Sequence, residues 1–230
     1  MKKITTIIAT ILFSLLSMNL ANAGSFGMGV AGHIASVTAD GNESEASPGT
    51  ETEASVRTAT AGNDFAFGSV FAEYSFGDSE RFTLGVDYIP GNADVNSKNI
   101  SRTDTTADAK EAQQQDGTRT ANAEISDHIT YYAELAIVNG VYAKYGFSQV
   151  DIKTKDTETH VGTSGLYPDK TLDAHTFGLG YKGTFGTNGY YKIEGYYTDY
   201  DQFKATSTTD KTVTANLDVV GAALRLGYKF

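Results

Sequence analysis

The chain has 230 residues, with 18 basic and 28 acidic side chains, a formal net charge of −10 and no cysteine. This balance excludes a nucleic-acid partner, which needs a basic footprint. The missing cysteines exclude a disulfide framework and a lipid-modified N-terminal cysteine. Fourteen Tyr, 12 Phe and 24 Gly against 3 Pro make a strand-rich, aromatic composition.

The first residues read as an export signal. Lys2 and Lys3 form a positive start, Ile7 to Leu16 a short apolar run, and Ala21-Asn22-Ala23 a small-residue cleavage site before Gly24. The run is shorter than the ~20 residues a spanning helix needs. A cleaved signal over 1–23 is therefore expected, with 24–230 as one domain. Losing Lys2 and Lys3 takes the net charge from −10 to −12.

The rest alternates with period two, the mark of strands. Phe26, Met28, Val30 and Ile34 share one face of the first strand, with Gly27, Gly29, Ala31, His33 and Ala35 opposite. The second runs from Phe65 to Phe76. Placing Glu73 inside turns Val70, Tyr74 and Phe76 outward, although Phe65, Phe67 and Phe71 compete for that face. After a tight turn at Gly77 to Glu80, Phe82, Leu84, Val86 and Tyr88 oppose Thr83, Gly85 and Asp87. In the fourth strand Tyr131, Leu135 and Ile137 oppose Tyr132 and Glu134. Asn139-Gly140 then predicts a two-residue type I′ hairpin. In the fifth, Ala143, Tyr145 and Phe147 oppose Tyr142, Lys144 and Gly146. The sixth sets Phe177, Leu179 and Tyr181 against Thr176, Gly178, Gly180 and Lys182. The seventh sets Tyr191, Ile193 and Tyr197 against Lys192, Glu194 and Tyr196. The last, Val219 to Phe230, sets Phe230, Tyr228, Leu226 and Leu224 against Lys229, Gly227 and Arg225. Residues 39–62, 90–127, 154–172 and about 201–212 are polar and are expected to be loops.

Eight strands with alternating long and short connections predict a closed antiparallel transmembrane β-barrel, with short periplasmic turns and long extracellular loops. A mean hydropathy of −0.28 is compatible with this, because only alternate residues face lipid. Ten strands remain open if part of 90–127 forms a hairpin. A soluble lipocalin-like ligand binder has the same strand count with its apolar faces turned inward.

The strand pattern, the segment Phe82 to Tyr88 after its tight turn, and the ending Leu226-Gly227-Tyr228-Lys229-Phe230 resemble the small outer-membrane β-barrel superfamily of Gram-negative bacteria, the group of the OmpA transmembrane domain, OmpX and OmpW. Arg225 stands where the family pattern has a glycine. The resemblance implies an integral outer-membrane protein, probed by the barrel-assembly machinery through Tyr228 and Phe230. It also implies contact with outer-membrane lipid and lipopolysaccharide, and an interior charge network that acts as a gate.

The residues give that network its members. Glu73, Asp87, Glu134, Lys144, Lys182, Lys192, Glu194 and Arg225 fall on the less apolar faces. An eight-stranded barrel is just wide enough for side chains to fill, and unpaired buried charge is costly, so these groups are expected to pair with one another. Arg225 is expected to meet Glu194 and Glu134. The resulting expectation is a monomeric structural, surface-interaction or minor porin-like barrel. An outer-membrane lipid hydrolase is the alternative, with Ser126, His128 and His175 as candidates. The four His, at 33, 128, 160 and 175, make no metal-ligand spacing, and no cofactor is implied. Loops 39–62 and 90–127 are candidates for an extracellular partner, and the acidic 39–62 for divalent cations.

Overall fold

The computed structural model describes residues 24–45, 56–77, 79–94, 100–104, 117–121, 123–155, 157–158, 167–207 and 211–230. The predicted signal segment lies outside them. Eight strands build the wall: β1 (Gly24–Glu45), β2 (Val56–Phe76), β3 (Phe82–Ile89), β4 (Ala123–Val138), β5 (Val141–Thr154), β6 (Lys170–Phe185), β7 (Gly189–Tyr200) and β8 (Lys211–Lys229). Each pairs antiparallel with the next. β1 also pairs with β8, from Gly27↔Lys229 to Glu45↔Lys211, so the eight described strands form a closed ring. Closure satisfies the backbone where no water is available to do so.

The short connections share one end. Gly77 and Glu80 take positive φ in the β2–β3 turn, as Gly186 does between β6 and β7. Asn139 (φ 48°) and Gly140 (φ 85°) form the β4–β5 turn, both left-handed as a type I′ hairpin requires. The long connections share the opposite end, called upper below.

The apolar faces point outward. Ile34 is 67% exposed, Leu179 63% and Val220 61%, whereas Lys192 is 0% and Arg225 2% exposed. This polarity overturns the soluble lipocalin-like alternative. Along β8 the outward apolar run spans Val220 to Phe230; at about 3.3 Å per residue and a tilt near 40° it covers about 25 Å, the height of a lipid-facing band. Phe76, Phe82, Tyr228 and Phe230 lie near its lower edge, and Tyr88, Tyr131, Tyr145 and Tyr197 near its upper edge. The chain therefore spans a membrane as a β-barrel.

The register of β2 follows Glu73. Ser69, Phe71, Glu73 and Ser75 are buried inside, while Val70 and Phe76 are exposed. Tyr74 shares the outer face but is covered, packed over Gly24 and edge-on against Phe76.

The strands run further up than the sequence predicts. Residues 39–45 and 56–62, expected as loop, continue the β1–β2 ladder to Ser44↔Val56. β6 begins at Lys170, inside the expected loop 154–172. Phe203–Thr206 pairs with β8 inside the expected loop 201–212. Above the bilayer both faces of a strand can meet water or small side chains, so hydrophobic alternation weakens while the ladder persists. Within 90–127, Ala93–Asp94 pairs with β4, and Ile100–Asp104 and Gly117–Ala121 form a hairpin joined by Thr157–Glu158. That hairpin belongs to a separate three-stranded sheet and adds no wall to the ring of eight.

Candidate functional site: the lumen

Inward side chains stack in layers from the turn end upward. At the lower rim, Glu80 accepts hydrogen bonds from Lys229 Nζ (2.6 and 2.7 Å), Lys182 Nζ (3.0 Å) and Ser25 Oγ (2.8 Å). Burial alone would raise the Glu80 carboxyl pKa. The hydrogen bonds from Lys229, Lys182 and Ser25 outweigh it and hold the pKa at about 2.

Above the rim lies the charge network. Lys192 Nζ donates at 2.6 Å to Glu73 Oε2 and at 2.6 Å to Glu134 Oε2. Lys144 Nζ donates to Glu194 Oε1 at 2.8 Å. Arg225 lies 2.5 Å from Asp87 Oδ2 and 3.7 Å from Glu194 Oε1. The Arg225–Asp87 contact is an ion pair without hydrogen-bond alignment, since neither atom finds a bonding partner. Tyr132 donates to Glu73 (2.8 Å) and Tyr142 to Glu194 (3.0 Å). The cations also rest on aromatic faces: Lys144 over Tyr132 at 4.7 Å, and Arg225 over Phe71 at 5.3 Å.

Glycines make room for the inward tyrosines. Gly85 is the ladder partner of Tyr132, and Gly180 that of Tyr142. A Cβ at Gly85 would sit 2.3 Å from the Tyr132 ring, and one at Gly180 2.4 Å from the Tyr142 ring. The rings thus lie flat across the neighbouring strand and bring their hydroxyls to the carboxylates.

Seven of the eight residues expected in the network meet there. Lys182 does not: near the lower end of β6, it pairs with Glu80 at the rim. Arg225 meets Asp87 and Glu194; the expected contact with Glu134 goes to Lys192 instead. Sequence reasoning missed Glu80, which was read only as a turn residue. Its signal was a carboxylate in a short turn at the same end as two strand-end lysines. Tyr228 and Phe230 are exposed on the outer face and pack edge-on, and Phe230 N–H donates to Phe26 O across the closing seam.

Above the network is a layer of hydroxyl and imidazole groups. Thr130 pairs with Ser148 and Thr176 with Thr198, each at 2.8 Å, and His33 Nε2 lies 3.0 Å from Ser69 Oγ. A cavity of about 140 Å³ opens in this layer. Ser126 and His128 both border it. They form no nucleophile–base pair: Ser126 Oγ has no hydrogen-bond partner, and His128 Nε2 meets Tyr200 OH at 3.3 Å. His175 lies on the outer face, bonded to Tyr145 OH at 2.8 Å. Higher still, Val150, Ile152, Leu172, Phe203, Ala205 and Leu217 form an apolar cluster. Among the described residues, no group of three or more His, Cys, Asp or Glu is placed to hold a metal.

No protein-family profile matches the chain, and none of the curated proteins matches it. Solved structures do. The outer membrane protein OprG from Pseudomonas aeruginosa is 13% identical, with 91% of this chain and 98% of that chain covered, at a TM-score of 0.48. The outer membrane protease OmpT from Escherichia coli is 9% identical, with 93% and 100% covered, at 0.43. The attachment invasion locus protein Ail of Yersinia pestis is 12% identical, with 88% and 99% covered, at 0.32. The barrel assignment stands on this chain's own strand ring and apolar girdle rather than on these likenesses.

Proposed function

We propose that this integral β-barrel of the Gram-negative outer membrane is a closed, non-enzymatic wall protein. Its long upper strands and loops are held above the bilayer for contact with lipopolysaccharide or an extracellular partner. The observation that carries this reading is the layer in which Lys192, Glu194 and Arg225 are fully or almost fully buried and bound to carboxylates or cations on other walls. Ion pairs so placed leave little room for a hydrated ion, and separating them costs several kcal/mol per exposed charge. The non-enzymatic reading is supported by the unassembled Ser126 and His128. Tyr228 and Phe230 are assigned to recognition by the barrel-assembly machinery, and the barrel is taken as a monomer.

Single-channel recording in planar bilayers tests closure. The purified barrel should give no steps above a protein-free blank, and stable openings would overturn the reading. Surface contact is tested by removing 100–121, which carries the separate hairpin but no wall strand. The shortened protein should still fold and should lose binding to lipopolysaccharide or whole cells. A deletion of 92–125 would be less clean, because Ala93 and Asp94 pair with Ile125 and Glu124 in the wall. Lipid A deacylation by the purified protein should stay at background.

A further inference from the structure

The cavity in the upper lumen is lined by two kinds of surface. Val37, Phe65, Phe67, Ile89, Tyr196 and Val219 supply apolar and aromatic wall. His33 already stacks on Phe67, with ring centroids 4.5 Å apart and planes 7° off parallel, and meets Tyr196 edge-on at 5.8 Å. Residues between these surfaces carry polar atoms without hydrogen-bond partners: His33 Nδ1, Ser126 Oγ, His128 Nδ1 and Tyr196 OH, and, on the ion pair, Asp87 Oδ1 and Oδ2 and Arg225 Nε and Nη1. Ser126 is 2% exposed and His33 7%. Buried polar atoms are nearly always satisfied, so such a cluster on the residues of one cavity points to something that satisfies them. The charged groups among the lining residues are matched in charge, Lys144 with Glu194 and Arg225 with Asp87, although the second pair lacks hydrogen-bond alignment. A ligand therefore needs hydrogen-bonding capacity but no net charge. The volume of about 140 Å³ is about ten times the ~10–15 Å³ that one water-sized probe requires, room for a small molecule, and the aromatic wall of Phe65, Phe67 and Tyr196 favours a flat ring.

We propose that this cavity is a binding site for one small, uncharged aromatic molecule carrying a hydrogen-bonding group. The ring packs among Phe65, Phe67, Tyr196 and Val219, and the polar group meets Ser126 and the two histidines. The wall is least regular beside the site. β2 and β3 share a ladder only up to Val70↔Tyr88, Pro90 has no N–H to donate, and β4 breaks register between Ser126 and Ile129. These residues can move aside for entry while the charge network below stays paired. Closure and binding fail separately: a barrel that conducts ions would overturn the closed reading and leave this one standing.

The test titrates indole into the refolded full-length barrel in detergent micelles, with nitrogen-15 in the histidine rings. Indole should shift the His33 and His128 resonances saturably, one molecule per barrel, and leave His175 on the outer face unmoved. Indene, which has the same shape without the N–H, should bind at least about tenfold more weakly, because it leaves the polar atoms unpaired. Ser126→Leu, which fills the cavity, should abolish the shifts. Should that variant fail to fold, judged by heat-modifiable migration on gels, Val37→Phe narrows the same cavity from the opposite wall. Shifts that never saturate, equal affinity for indole and indene, or binding that survives a folded cavity-filling variant would each overturn the proposal.

Discussion

The lower and upper halves of the barrel are built on the same strands with their polarity reversed. On β5 the lower half turns Tyr142 and Lys144 inward and Tyr145 and Phe147 outward, whereas the upper half buries Val150 and Ile152 and turns Lys153 to water. On β8, Arg225 lies inside and Leu224 outside, but a few residues higher Leu217 is inside and Asn216 forms an exposed hydrogen bond with Gln202. The β5–β6 and β1–β8 ladders run unbroken across this boundary. What changes is the solvent outside, lipid below and water above, and the side chains invert to match it. The lower half is held by polar pairing inside, since lipid gives no hydrophobic drive to its outer face. The upper half folds as a water-soluble protein does, around an apolar core.

Substitutions in the two halves should break this contrast in different ways. The largest effect belongs to the lower half. Lys192→Met leaves Glu73 and Glu134 buried without their cation and should cost about 3–5 kcal/mol, read as a lower urea midpoint for unfolding from vesicles. Replacing Lys192, Glu73 and Glu134 together by apolar residues should recover most of that loss; no recovery would mean that the network is not a matched set. Leu172→Ala in the upper cluster should cost about 2–4 kcal/mol. Its cost should appear as faster amide exchange in the upper strands, with the lower ladder still protected. Uniform loss of protection would show that the halves are one cooperative unit. Gly85→Val drives a side chain into the Tyr132 ring and should cost about 1–3 kcal/mol, with the Tyr132–Glu73 bond lost in a solved structure of the variant.

The smallest effect is at the rim. The Glu80 pKa is depressed to about 2 in the folded protein, against about 4.3 for a free glutamate. Its contribution is therefore complete above about pH 5 and is lost as the pH falls towards 2. The site is partly exposed, so the contribution should stay under about 1 kcal/mol. Glu80→Gln should flatten the decline in stability between pH 5 and pH 2 relative to the native protein; equal slopes would remove the rim clamp from the account.

The lipid-facing half was legible because a two-sided environment writes alternation into the sequence. Leu179 beside Gly180, or Leu224 beside Arg225, places a strand and its faces at once. The upper strands were less legible for two physical reasons. In residues 39–45 and 56–62 both faces carry small or polar groups, so the ladder leaves no periodic mark. On β5 the alternation continues but changes sense at Ser148 and Gln149, and a single rule for inside and outside does not cross that point. Seven network members could be read from their faces, but their partners only in part: Glu194 was expected beside Arg225, and Asp87 was not. Which carboxylate Arg225 meets depends on barrel width and strand stagger, and these place Asp87 opposite it rather than Glu134. The cavity left no sequence mark, since an unpaired Ser126 oxygen is a property of neighbours brought together only by folding.

The ion pairs across the lumen also bear on how the barrel enters the membrane. Lys192 reaches Glu73 over 119 residues and Glu134 over 58, while Lys144 reaches Glu194 over 50. None of these pairs joins ladder neighbours. Of the hairpins, β4–β5 sets Glu134 opposite Lys144, but β2–β3 would cross with Glu73 and Asp87, and β6–β7 with Lys182 opposite Lys192, without the partners they meet in the finished barrel, which is costly in hydrocarbon. Insertion by successive hairpins is thus the steep path. The gentler one keeps the inward faces wet or sheltered until opposite walls face one another, so the same pairing that fills the finished lumen favours late, concerted crossing.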